Sequence, residues 1–155
     1  MSVARARANH ALYLGKIVIG AWRRELARED VPAATLAQAF HAGAHNHLLA
    51  AYGWFLLAVS QAEVPPQGPP RCCEELPPMP AGRLYPPEIN EFRQLEARGW
   101  LCEMLRSGTV DPPVARQPGN LASAAQHGHD TEQLEQWLAQ LQGLFERMDD
   151  SLDEY

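Results

Sequence analysis

Any chemistry in this chain has to come from histidine, cysteine and a few carboxylates, so their spacing comes first. His41 and His45 stand four residues apart, which on an α-helix puts both imidazoles on one face, as in many metal sites. His47 is turned away from them by about 120° to 160° on the helical wheel and does not easily join the pair. In an antiparallel hairpin turning near residue 31, His10 would lie roughly 16 Å along the axis from His41. No Asp or Glu falls between residues 31 and 62, and the Glu-x-x-His pattern of di-iron bundles is missing. A metal would have to borrow ligands such as Glu96 or Glu103. His41 and His45 are the metal candidates, but they read more simply as surface or hydrogen-bonded side chains. His47 reads as a core imidazole with both ring nitrogens satisfied. No metal or cofactor is expected.

Cys72, Cys73 and Cys102 are odd in number and two are adjacent, which suits reduced thiols in a reducing cytoplasm. A zinc site wants two ligand pairs at fixed spacing, and only His127-Gly128-His129 offers a second pair. There is no Gly-x-Ser-x-Gly turn, no glycine-rich phosphate loop after a strand, and no histidine placed to activate a cysteine. No histidine follows Arg93 or Arg98 at short range, so the motif of helical toxin ribonucleases is missing too. No catalytic residue is assigned, and the expectation is that the protein is not an enzyme.

The elements that would hold these residues are helices. Leu12, Gly15, Ile19, Trp22 and Leu26 recur at spacings of 3 and 4, extended backwards by Ala8 and Ala11, and predict a first helix ending near Glu29. Asp30 is the predicted N-cap of a second helix over about 31–62, with Pro32 in its first turn. That helix carries two apolar stripes. One holds Leu36, Phe40, Ala44, His47, Ala51 and Phe55; the other holds His41, His45, Leu48, Tyr52, Leu56 and Val59. An uncharged helix, apolar nearly all round, is buried on several sides, either in its own fold or against a partner.

Residues 64–88 contain nine prolines and predict an extended connection, since proline lacks an amide donor and fixes φ. A third helix starts at Pro87 or Glu88, breaks at Gly99 and resumes over Trp100–Arg106. Residues 108–129 read as a loop. Asp130 and Gln133, at capping-box spacing, open a last helix with Leu134, Leu138, Leu141, Phe145, Met148 and Leu152 as its seam. The prediction is one all-α domain over 1–155, an antiparallel four- to five-helix bundle.

Composition narrows the function. The chain has 155 residues and a net charge of -6, which argues against nucleic acid as the main partner. No apolar run is long enough to span a membrane. Residues 1–30 carry a net +3 and residues 130–155 a net -7, so first and last helices should neighbour each other.

His47-Leu48 followed by Ala50-Ala51-Tyr52, Trp100-Leu101 followed by Met104-Leu105, and Leu134-Glu135-Gln136-Trp137 continuing through Leu141, Leu144 and Phe145 to Tyr155 carry a resemblance. On these residues the chain resembles an uncharacterised family of small helical proteins from pseudomonad-type gammaproteobacteria, known as a domain of unknown function. It departs from that pattern in its proline-rich connection and in His41 and His45. The resemblance implies an all-helical cytoplasmic bacterial protein and no particular activity.

The expected role is a non-enzymatic protein-interaction factor, binding a protein partner or forming a homodimer through the second helix. Tyr13, His47, Tyr52, Trp54 and Trp100 are the candidate interaction residues, because these aromatics exceed what one narrow seam absorbs. One alternative is a metal- or small-ligand-binding bundle using His41, His45 and His47. Another is a nucleic-acid-associated regulator using Arg5, Arg7, Arg23, Arg24 and Arg28.

Overall fold

The computed structural model describes residues 2–65, 67–107 and 131–152. Its helices are α1 (Val3–Arg28), α2 (Ala33–Ser60), α3 (Pro87–Arg98), α4 (Trp100–Arg106) and α5 (Thr131–Leu152), with one 3-10 turn at Cys73–Glu75. No strand occurs among the described residues, so the chain is all-α as predicted. The predicted loop over 108–129, Asp130, His127, His129 and Tyr155 lie outside the described residues.

Local chemistry sets the helix ends. Ser2 caps α1 by accepting a hydrogen bond from the Arg5 amide at 3.1 Å. Glu29 ends α1 in the left-handed region at φ 57. Asp30 does not cap α2: Pro32 occupies the cap position and Asp30 pairs with Arg28 at 3.3 Å. The reason is steric. A residue before proline is pushed out of the helical region, so Val31 cannot open the helix and α2 starts two residues later. At its far end Gln61, at φ 56, stops α2 at Ser60.

The helices alternate in direction. Along the α1–α2 pair, Arg7 lies over Trp54, Gly15 packs against Leu48, and Trp22 meets His41, so the two run antiparallel. The third leg, α3 and α4 with an extended break at Gly99, also opposes α2. Phe55 packs on Phe92, Tyr52 reaches Glu96, and His45 reaches the Met104 carbonyl. The last leg, α5, opposes α1, with Arg5 bonded to Asp149 and Arg23 to Glu135 at 3.0 Å. The basic first helix and acidic last helix are therefore neighbours.

At the centre α2 touches α1, α3 and α5, and Leu48, Tyr52, Phe55 and Leu56 are fully buried. The α5 seam differs from the predicted one. Trp137 and Leu144 join Leu134, Leu141 and Met148 in the core, while Leu138 is only half-buried beside α1. Both sets are heptad-spaced. The wider one wins because α5 has two neighbours to cover.

Candidate functional site

Among the described residues, three places gather side chains capable of more than packing. The first is the histidine pair. His41 and His45 are buried, at 2% and 6% exposure, and their rings stack with centroids 5.6 Å apart. The His45 Nε2 lies 2.7 Å from the Met104 carbonyl oxygen, and Trp22 and Trp137 flank the two rings. Of the two expectations for this pair, surface or hydrogen-bonded, burial corrects the first and the His45 contact agrees with the second; the order of the three is also reversed, since His47, expected in the core, is only half-buried. An uncharged helix has no polar side to orient it, so periodicity could not say which stripe faces α4 and α5. Among the described residues, no group of three or more His, Cys, Asp or Glu comes together as a metal would require.

The second is a polar node where the proline-rich connection meets the bundle. The Tyr52 hydroxyl donates to Glu96 Oε1 at 2.5 Å, and the Cys73 amide donates to the same oxygen at 2.9 Å. The Tyr52 hydroxyl also lies 3.9 Å from Cys73 Sγ. Burial, then the neighbouring Cys73 and Glu96, raises the Tyr52 phenol well above its ordinary value of 10.0. Burial first and Glu96 second push the Cys73 thiol up to about 12. Both groups hold their protons at neutral pH, which makes the node a clasp and the thiol a poor nucleophile. A helix-interior glycine completes it: a methyl at Gly53 would overlap the Pro70 carbonyl oxygen. Further along, Pro80–Arg83 turns through Gly82 at φ 87, and the Tyr85 hydroxyl bonds the Pro77 carbonyl at 2.6 Å. The connection is thus fixed at both ends.

The third is α1 itself, which has two working faces. Arg5, 7% exposed, is folded inward. Its Nη2 donates to Asp149 and to the Phe145 carbonyl, and its guanidinium carbon sits 4.8 and 5.0 Å from the Phe55 and Phe145 ring centroids. The Arg5 Nε and Nη1 have no hydrogen-bond partner, and the two ring faces stand in for one. On the opposite face Val3, Tyr13 and Ile17 are 68%, 60% and 47% exposed. Beside Tyr13, a shallow groove of about 240 Å³ between α1 and α5 is lined by Leu12, Lys16, Leu138 and Gln142.

The candidate interaction residues part company here. Tyr13 is exposed, while His47, Trp54 and Trp100 are half-buried. Tyr52 is fully buried and cannot belong to a surface: its hydroxyl serves the clasp. Of the five arginines assigned to nucleic acid, Arg5, Arg23 and Arg28 are in ion pairs within the chain, and Arg7 lies 4.6 Å from the Trp54 ring centroid. The clasp and the inward Arg5 were missed. Gly53 inside an apolar helix was the signal for the first, and Arg5 in register with Ala8 and Leu12 for the second. Among the described residues no helix is long and apolar enough to cross a membrane. Comparison with protein-family models, curated proteins and solved structures finds no match to this chain.

Proposed function

We propose that this chain is a non-enzymatic, cytoplasmic interaction factor that packs the outside of its α1–α2 hairpin against a protein partner or a second copy. One observation carries this: Tyr13 and Ile17 stay exposed on α1 while His45, Tyr52 and Cys73 are buried and bonded internally. The neighbouring face of α2 is compatible with close approach, because Ala39, Ala42, Gly43 and Asn46 are exposed and uncharged. The resemblance to the pseudomonad-type helical family belongs to the same proposal and supplies a bundle without an activity. No observation favours the metal-binding or nucleic-acid alternatives, given the engaged His45 ring and the paired arginines.

The test compares the wild type with Ile17→Asp by light scattering and by capture of partners from the source cells. A dimer or one stable partner, lost in Ile17→Asp, supports the reading. Complexes that persist unchanged in the variant, or no complex at all, overturn it.

A further inference from the structure

The exposed side of α1 is patterned. Val3, Ala6, His10, Tyr13, Ile17 and Gly20 follow one another at alternating spacings of 3 and 4, the repeat of a helix–helix seam, on the side opposite the core stripe. Every one of these but the half-buried Gly20 is exposed. The charges that α1 itself sets beside the stripe are all of one sign: Arg7, Lys16 and Arg24 are exposed, and no Asp or Glu occurs before Glu25; the acid Glu146 of α5 lines the groove at the Tyr13 and Lys16 edge alone.

We propose that this face binds an acidic amphipathic helix of a partner protein, an assignment that rests on the interaction reading above and names its partner class. Charge decides between occupants. A second copy of α1 would set arginine and lysine against arginine and lysine, which is repulsive across a seam. An apolar stripe flanked by Glu and Asp meets the same face with attraction. The chain contains the precedent, since α5 is such a helix. It lies along the adjacent edge of α1, its Leu and Phe seam inward, and its Asp149 and Glu135 take Arg5 and Arg23. The outward face repeats that chemistry, and among the described residues no helix is seated on it. Tyr13 supplies a large, rigid contact and Ile17 the apolar centre, the kind of residues that dominate helix-in-groove recognition.

The test uses the full chain and a synthetic helix of about three heptads, with leucine at its seam and glutamate beside it, against a twin carrying lysine instead. The glutamate helix is expected to bind, more weakly as salt rises, and the lysine helix is not. Ile17→Asp and Tyr13→Ser are each expected to weaken binding about tenfold or more. Ile17→Lys, which keeps the face positive, should weaken it as well, separating apolar contact from charge. Circular dichroism confirms that these surface variants stay folded. Equal binding of both helices, or binding untouched at Ile17, overturns the proposal. So does preferential capture by phosphatidylglycerol vesicles, or self-association that Ile17→Asp removes. An Ile17-dependent partner from cells together with a failed glutamate helix overturns the acidic class alone; absence of any Ile17-dependent complex overturns the interaction reading as well.

Discussion

The two faces of α1 carry the same spacing and opposite fates. Inward, three small residues, Ala8, Ala11 and Gly15, are followed by the large Ile19 and Trp22, and α2 closes on them. Outward, Val3, Tyr13 and Ile17 follow an equivalent repeat and remain in solvent. The difference lies in size pattern and company. Small residues at the crossing point let α2 approach, with Leu48 against Gly15, while the outward stripe is bordered by cations that α2 has no charge to match. A heptad repeat thus says that a helix can be packed, and its flanks say by what.

Substitutions along this contrast should separate the two faces. Trp22→Ala empties a site that is 1% exposed and stacked on Phe40, and should cost about 3–5 kcal/mol in urea unfolding. Gly53→Ala, which drives a methyl into the Pro70 carbonyl, should cost about 1–3 kcal/mol and make the proline-rich connection easier to cleave in limited proteolysis. Tyr52→Phe should cost about 0.5–1.5 kcal/mol at neutral pH. It should also flatten an alkaline loss of stability whose sign follows from the clasp. Tyr52 and Cys73 keep their protons in the fold above the pH at which the unfolded chain releases them, so stability is complete below about pH 9 and falls towards about 12. Denaturant titrations across that window check it, and a flat profile in the wild type would break the clasp. On the outer face, Ile17→Ser should leave stability within about 0.5 kcal/mol, and Arg23→Ala within about 1 kcal/mol. A larger loss at Ile17 would mean that the outward stripe is part of the fold.

Much of the architecture was legible in the residues. The α1 core stripe, the break at Gly99, the start of α3 at Pro87 and the neighbourhood of basic and acidic helices all follow from local rules of spacing, proline placement and charge. What was illegible depended on non-local partners. Only the placement of α4 and α5 decides that His41 and His45 turn inward and His47 stays half-buried, because α2 carries no charge and is apolar nearly all round. Tyr52 looked like a surface aromatic for the same reason. Its bond to Glu96 joins residues 44 apart, with no sequence mark except the neighbouring glycine. Asp30 is not a cap for a local reason, the restriction that Pro32 places on Val31.

The inward arginine also orders events in time. Arg5 and Asp149 are separated by 144 positions, whereas α1 and α2 meet through a four-residue turn. Closing the short connection costs less chain entropy than closing the long one, which favours hairpin formation ahead of the α5 contacts. During that interval the guanidinium beside Phe55 lacks its anion and half of its aromatic sandwich. A nascent chain therefore carries an unfinished seam until synthesis reaches α5.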